Sequence, residues 1–129
     1  MKRLLIYIVF AGLVSFVLAP FLFAEEGVAS WYSAQSCRAE GMEGIFTASG
    51  ERFNENELSC AMRSRDFGTY YKVTNLENGK WIIVRHNDFG PNEECYEEGR
   101  IIDLSKGAFA RLAPLSSGLI KVKVERLNL

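Results

Sequence analysis

Three acidic side chains lie where the chain turns or leaves a strand, and acids in such places can take part in glycoside chemistry. Glu51 ends the segment Thr-Ala-Ser-Gly-Glu, Asp88 lies in His-Asn-Asp-Phe-Gly-Pro, and Asp103 lies in Arg-Ile-Ile-Asp-Leu-Ser. Cleavage of a glycosidic bond needs a carboxylic acid that protonates the leaving oxygen, and often a second carboxylate that stabilises positive charge at the anomeric carbon. We therefore take Glu51, Asp88 and Asp103 as the candidate catalytic residues.

Each of these acids also has a purely structural interpretation. Asp88 lies in a loop stiffened by Gly90 and Pro91, where an aspartate often accepts hydrogen bonds from its own backbone in an Asx turn. Asp103 precedes a predicted helix cap and would hold the junction between strand and helix. Glu51 follows a turn that either aims it into a groove or leaves it in water. The spacing alone does not decide between these roles.

Aromatic and small polar side chains near the acids are candidates for sugar binding, because the apolar face of a pyranose stacks on flat rings. Trp31 and Tyr32 lie beside a loop and fit a groove wall, whereas Trp81 lies in an apolar strand and is expected in the core. Strand alternation places His86 on the side opposite Asn87. The predicted substrate contacts are Ser30, Trp31, Tyr32, Thr47, Ser49, His86 and Asn87.

The N-terminus has the pattern of an export signal. A basic start precedes an apolar run from Leu4 to Phe23, and Ala24 then meets Glu25 and Glu26. Residues 1–24 are therefore predicted to be a signal peptide, with a membrane anchor formed by residues 4–23 as the alternative. Both interpretations place the remainder outside the cytoplasm, in the periplasm, in the cell envelope or in the medium. With 129 residues, 48% of them apolar, the chain has room for one domain, residues 25–129.

Charge and cysteine spacing exclude several classes of function. Loss of residues 1–24 leaves 13 basic and 16 acidic residues, a net charge of −3, so we expect no nucleic-acid partner. Cys37, Cys60 and Cys95 are far apart and His86 is the only histidine, so we expect neither a metal site nor a cofactor. An oxidising compartment favours one disulfide with one thiol left over, and the pairing stays open. We expect a monomer.

Short strands and turns dominate the rest of the chain. Residues 27–33 and 58–62 read as strands, and residues 34–44 and 87–99 read as loops. Asn78-Gly79 separates two β-rich runs, 70–76 and 81–85, and is the strongest hairpin signal. Ser105 can cap a short helix with Ala108, Phe109 and Leu112 on its apolar face. Alternation from Ile120 onward predicts a half-buried strand. These elements predict a mainly β barrel with one short helix.

Several motifs in fixed order resemble those of the rare lipoprotein A family, and the resemblance covers nearly all of residues 27–127. The motifs are Ala29-Ser30-Trp31-Tyr32, Thr47-Ala48-Ser49-Gly50-Glu51, Phe67-Gly68-Thr69, Val73-Thr74-Asn75-Leu76, Asn78-Gly79-Lys80, Val84-Arg85, Asn87-Asp88, Gly90-Pro91 and Arg100-Ile101-Ile102-Asp103-Leu104-Ser105.

The resemblance implies a six-stranded double-psi β-barrel with one or two short helices, as in expansins, barwin-like proteins and family-45 endoglucanases. It also implies endolytic transglycosylase activity on peptidoglycan, in which the bond between N-acetylmuramic acid and N-acetylglucosamine is cut while a 1,6-anhydro ring forms. Carried over by position, Glu51 and Asp88 match acidic residues of the family's active site. Asp103 matches an acid in the grooves of expansin-like and endoglucanase relatives.

One departure from the family pattern keeps a second hypothesis open. Where the family usually has Ala-Ala-His, this chain has Cys60-Ala61-Met62, so Met62 stands at the position of an expected groove histidine. A thioether neither transfers a proton nor carries charge, and His86 is the candidate that would compensate. A non-catalytic, expansin-like module that binds wall polysaccharide tolerates this change, because binding does not need a proton carrier. An envelope module that binds a protein partner is the third possibility.

Overall fold

The computed structural model describes residues 24–39 and 45–128, and six strands of this part close into one barrel. The strands are β1 (Ala24–Tyr32), β2 (Ser59–Met62), β3 (Tyr70–Asn75), β4 (Trp81–Phe89), β5 (Arg100–Ser105) and β6 (Ile120–Leu127). Their order around the barrel is β1-β5-β2-β4-β3-β6. The predicted six-stranded barrel is therefore confirmed.

The barrel mixes two parallel pairs with antiparallel neighbours. β1 runs parallel to β5 and β2 runs parallel to β4, while β2 and β5 lie antiparallel between them. Parallel neighbours need long crossovers, which explains why strands that are distant in sequence meet here. The remaining pairs, including the β3–β4 hairpin, are antiparallel.

The hairpin and the last strand form as their local patterns predict. Gly79 turns the hairpin with φ of 77°, a value that favours glycine. Along β6 the apolar residues Ile120, Val122 and Val124 are buried. The core position predicted for Trp81 is wrong, because Ile82 and Val84 occupy the inward positions of β4 and leave Trp81 56% exposed beside Lys72.

Three α-helices of the described residues lie outside the barrel wall. They are α1 (Ala34–Ala39), α2 (Glu93–Glu97) and α3 (Lys106–Leu112), and a 3₁₀ helix follows at Leu115–Ser117. Ser105 caps α3 by accepting a hydrogen bond from the Ala108 amide, as predicted. The loop predictions for residues 34–44 and 87–99 are wrong in part: α1 forms at Ala34–Ala39, β4 continues to Phe89, and Asn92 caps α2. Helices this short leave no periodic pattern in a sequence.

Some predictions concern residues outside the described part or the state of the cysteines. Residues 1–23 and 40–44 are outside, so the signal peptide stays a prediction. No helix within residues 24–39 and 45–128 has the length and apolar character needed to span a bilayer. The three cysteines are thiols, with Cys37 and Cys60 buried and Cys95 half-buried, so the disulfide expected from the compartment is not formed in this structure.

The hydrophobic core fills the barrel and continues under α3. Its fully buried large side chains include Ile102, Leu104, Val84, Phe109 and Leu112. The last two come from α3, which packs against β1, β4 and β5. This helix therefore stabilises the strands that carry the acids.

Replacement of Phe109 by alanine should lower the free energy of unfolding by about 3–5 kcal/mol, because the ring is fully buried and its loss leaves a cavity. Urea unfolding followed by circular dichroism measures the change. The control Leu119→Ala removes a side chain that is 59% exposed and should alter stability by about 0.5 kcal/mol or less. Equal midpoints for the two variants would contradict the placement of α3 in the core.

Candidate functional site

One row of residues crosses four neighbouring strands of the barrel and contains two of the three predicted acids. Ser30 on β1 pairs with Asp103 on β5, Asp103 pairs with Ala61 on β2, and Ala61 pairs with Asp88 on β4. Residues paired in this way share one face of the sheet. Asp88 and Asp103 are therefore two strand spacings apart, about 10 Å between Cα atoms. The methyl group of Ala61 leaves the space between them open.

A groove of about 240 Å³ lies over this row. Its lining consists of Tyr32, Ser36, Cys37, Ala61, Asp88, Phe89, Gly90, Pro91, Asn92, Arg100 and Asp103.

Two β-bulges turn the acids of the row toward the groove. On β4, Cys60 pairs with His86 and Ala61 pairs with Asp88, so Asn87 is an extra residue. On β5, Val28 pairs with Arg100 and Ala29 pairs with Ile102, so Ile101 is the extra residue. Because each bulge shifts strand alternation by one residue, the acid that follows it faces outward instead of into the core.

Within the part of the chain that the structure describes, the donors that hold Asp88 are neutral groups. The amides of Ala48 and Phe89 each donate to its Oδ1 at 2.9 Å, and the hydroxyl of Tyr32 donates to its Oδ2 at 3.2 Å. Burial and the charge of Asp88 raise the pKa of Tyr32, which keeps that hydroxyl protonated. Among the described residues no cation lies within ion-pair distance of Asp88. Hydrogen bonds therefore orient this carboxylate.

Asp103 is a buried partner in an ion pair. Arg100 donates from Nε to Oδ1 at 2.7 Å and from Nη2 to Oδ2 at 3.0 Å, and the Ser30 hydroxyl donates to Oδ1 at 2.6 Å. Bidentate pairs of this kind bind the charged carboxylate and fix its orientation. Asp103 therefore lies in the groove as a carboxylate that an ion pair holds in place, unlike Asp88.

Glu51 lies beside the groove rather than in its lining. Arg85 binds both of its carboxylate oxygens at 2.6 Å, and Asn87 donates to Oε2 at 3.3 Å. The hydrogen bonds from Arg85 lower the pKa of Glu51, although the side chain is 41% exposed. The structure thus brings Asp88 and Asp103 together on one groove and places Glu51 behind the turn that borders it.

That turn is built by three of the predicted substrate contacts. The Thr47 hydroxyl shares a hydrogen bond with the Ser49 hydroxyl at 2.8 Å, and the Ser49 amide donates to the Asn87 carbonyl at 3.2 Å. Thr47 and Asn87 are buried, so these residues fix the Ala48 amide against Asp88. Direct contact of Thr47, Ser49 or Asn87 with a substrate stays a prediction.

Comparison with known proteins identifies the family. The model of the lytic transglycolase family matches residues 24–124. The chain belongs to this family. Over 103 residues it is 44% identical to the protein named "Probable endolytic peptidoglycan transglycosylase RlpA" of Nostoc sp., with 80% of this chain and 26% of that protein covered. It is 40% identical to the endolytic peptidoglycan transglycosylase RlpA of Campylobacter jejuni, with 78% of this chain and 33% of that protein covered.

Solved structures share the fold of this lytic transglycolase domain. The Streptomyces papain inhibitor superposes with a TM-score of 0.61 at 22% identity, covering 81% of this chain and 94% of that chain. The expansin of Clavibacter michiganensis superposes with a TM-score of 0.59 at 19% identity, covering 81% of this chain and 50% of that chain. These neighbours confirm the double-psi barrel.

The chain spans about a quarter to a third of the length of the two curated relatives named above.

The predicted aromatic contacts divide between the groove and the core. In this lytic transglycolase domain Tyr32 lines the groove and stacks on Phe53, with ring centres 4.6 Å apart. Trp31, one residue earlier, points to the other side of β1, where it packs against the core and donates from Nε1 to the Leu115 carbonyl at 3.1 Å. Tyr32 therefore lines the groove and Trp31 packs against the core, and contact of either ring with a glycan stays a prediction.

His86 and Met62 both lie away from the groove lining. His86 is fully buried against Phe67 and Tyr71, and its Nε2 bonds the backbone carbonyl of Asp88 at 2.8 Å. It thus braces the backbone of the bulge and has no surface to offer a substrate. Met62 packs against the core and lines a separate depression.

None of the predicted site residues is Arg100, which the structure places in the groove lining. Residues three apart on a regular strand point to opposite faces, so alternation separates Arg100 from Asp103. The bulge at Ile101 brings the two side chains together. Arg100 and Asp103 carry opposite charges within one short motif, and this was the sequence signal from which their ion pair could have been predicted.

Glu51→Gln should destabilise the fold near neutral pH by about 1 kcal/mol or less, since the ion pair with Arg85 is partly exposed. Because the folded-state pKa of Glu51 is depressed, its contribution is complete above the unfolded-state pKa and is lost as the pH falls through the folded-state value. Urea unfolding at pH 7 and pH 3 should therefore show a difference from wild type that shrinks in acid. Glu77→Gln, at an exposed residue, is the control. A difference equal at both pH values would contradict the ion-pair explanation.

Proposed function

We propose that this chain is an endolytic peptidoglycan lytic transglycosylase that acts in cell-wall remodelling. It would cut the bond between N-acetylmuramic acid and N-acetylglucosamine and leave a 1,6-anhydro ring on the muramic acid. The observation that carries the proposal is a pair of acids on a single groove, of which Asp103 has a cationic partner and Asp88 has none among the described residues. The family match and the names of the relatives support the choice of substrate.

Asp88 is the proposed general acid. Its carboxyl donates a proton to the glycosidic oxygen as the bond to the anomeric carbon breaks. The carboxylate that remains then accepts the proton of the muramic 6-hydroxyl, whose oxygen attacks the same carbon. The proton lost in the first step returns in the second, so no water is consumed. The two amides and the Tyr32 hydroxyl that hold Asp88 stabilise its charged state between the steps.

Asp103 and Glu51 supply fixed negative charge in this scheme. Asp103 faces the same groove and stabilises the oxocarbenium-like transition state, while Arg100 and Ser30 keep its carboxylate in place. Glu51 acts from behind the Thr47–Glu51 turn, where its ion pair with Arg85 stabilises the segment that presents the Ala48 amide. The acid that transfers the proton and the acids that keep their charge are thus different residues.

The proposed substrate determines where in the cell the protein would act. Peptidoglycan lies outside the cytoplasmic membrane, which agrees with the predicted signal peptide in residues 1–24. We propose an exported protein that works as a monomer, with a membrane contact only if residues 4–23 are retained.

Asp88→Asn should reduce the release of anhydro-muropeptides at least about a hundredfold, because asparagine cannot donate or accept the catalytic proton. Peptidoglycan stripped of stem peptides is incubated with each protein, and the products are measured by mass spectrometry. Asp66→Asn is the matched control, since this aspartate is exposed and outside the groove. Release by Asp88→Asn at the wild-type rate, or no release by wild type, would overturn the proposal.

A second candidate is an expansin-like module that binds wall polysaccharide without cleaving it. Met62 at the expected histidine position favours it, as does the similarity in fold to an expansin whose mutant was solved in complex with cellohexaose, a TM-score of 0.53 at 18% identity. The groove-lining ring of Tyr32 supplies a stacking surface for either candidate. The two differ in whether product is released.

Tyr32→Ala should weaken binding to insoluble peptidoglycan by about fivefold to tenfold, the loss expected for one ring that stacks on a ligand. Co-sedimentation in the cold measures the affinity. Trp81→Ala removes an exposed ring of the β3–β4 hairpin that does not line the groove, and should bind as wild type does. Tyr32-dependent binding without product from wild type would select the binding module, and equal loss in both variants would contradict the groove as the glycan site.

A further inference from the structure

Two arginines stand together at the Phe89 end of the groove. The guanidinium of Arg65 lies 4.3 Å from the centre of the Phe89 ring, and that of Arg63 lies 5.2 Å from the same centre. Arg63 also lies 5.6 Å from the centre of the Tyr96 ring and donates from Nη1 to the Pro91 carbonyl at 3.2 Å. Phe89 and Pro91 line the groove, so this cationic cluster borders it, while Arg63 also lines the depression that contains Met62.

These two guanidinium groups differ from the others near the groove in having no carboxylate partner among the described residues. Arg85 is bound to Glu51, and Arg100 is bound to Asp103. Arg65 is exposed and Arg63 is half-buried. Stacking on an aromatic ring orients a guanidinium while its edge N–H groups stay available for a ligand.

The charge of the groove gives this cluster a function. Arg100 offsets the charge of Asp103, so Asp88 is the acid that would repel an anionic substituent from the floor of the groove. A guanidinium fork matches a carboxylate in shape and charge, and so can offset this repulsion at one end while the acids act at the other. Arg63 follows Ala61 by two residues, about 7 Å along the chain from the centre of the row.

We propose that Arg63 and Arg65, held on Phe89, form a carboxylate-binding subsite for the acidic substituent of a muramic acid residue in the groove. This inference rests on the proposed peptidoglycan substrate. The carboxylate can come from the lactyl ether of a muramic acid without peptide, or from a stem peptide. Both sources present the same group to the arginines.

The test measures binding in the cold, separately from cleavage. Wild type, Arg65→Gln, Arg63→Gln and the double variant are co-sedimented with four polymers: intact peptidoglycan, peptidoglycan stripped by an amidase, peptidoglycan whose carboxylates have been converted to amides, and chitin. Each single variant should lose about threefold in affinity for peptidoglycan and the double variant about tenfold. Amidated peptidoglycan and chitin should bind all four proteins equally. Added salt should weaken wild type more than the double variant.

Stripped and intact peptidoglycan distinguish the two sources. A larger arginine effect on stripped polymer assigns the lactyl carboxylate, and a larger effect on intact polymer assigns the stem peptide. Arg111→Gln, at an exposed arginine at the end of α3, is the matched control and should bind as wild type does. Thermal unfolding confirms folding, and the exposed Arg65 keeps the test available if Arg63→Gln is unstable.

Wild-type affinity of Arg65→Gln and the double variant for peptidoglycan would overturn the subsite, as would an equal loss on chitin. Failure of the transglycosylase proposal looks different. In that case wild type releases no anhydro product, while binding still depends on the arginines and on the carboxylates of the polymer.

Discussion

One extra residue in each of two strands is the constraint on which the site depends. A regular β4 would turn Asp88 to the same side as His86, and a regular β5 would turn Asp103 toward the core. Burial of an unpaired carboxylate there would cost far more than a bulge does. The extra residues, Asn87 and Ile101, reverse both orientations while the apolar row of the barrel stays intact. The chemistry of the groove and the stability of the core therefore follow from the same two irregularities.

The same geometry divides the acids by their partners. Arg100 and Arg85 each bind one carboxylate in bidentate fashion, so protonation of Asp103 or Glu51 would break an ion pair. Among the described residues Asp88 has only dipolar donors, so hydrogen bonds and not an ion pair hold it. In a site with three acids, this asymmetry distinguishes a proton carrier from a fixed charge. The asymmetry arises because Arg100 lies within ion-pair distance of Asp103 and Arg85 lies within ion-pair distance of Glu51.

Features that depend on a few neighbouring residues can be predicted from this sequence. Features that depend on how distant strands pair cannot. Asn78 with Gly79, and the Ser105 cap, act within a few residues, so the hairpin and α3 are readable. The inward face of a strand depends on register with its neighbours, and for this reason the core position predicted for Trp81 is wrong. Trp31 packs against the core, and its contact with a substrate stays a prediction. The family resemblance groups the three acids by motif order, and the structure brings Asp88 and Asp103 to one groove.

The position of Met62 bears on whether the groove can catalyse the proposed reaction. Its side chain packs against the core and is absent from the groove lining, which Ala61 enters from the same strand. His86, the possible substitute, is enclosed by Phe67 and Tyr71 and bonded to the backbone at Asp88. Neither residue is placed to exchange a proton with a ligand in the groove. A transglycosylation that returns the proton to its donor needs only one such group, so Asp88 by itself meets the requirement of the proposed reaction.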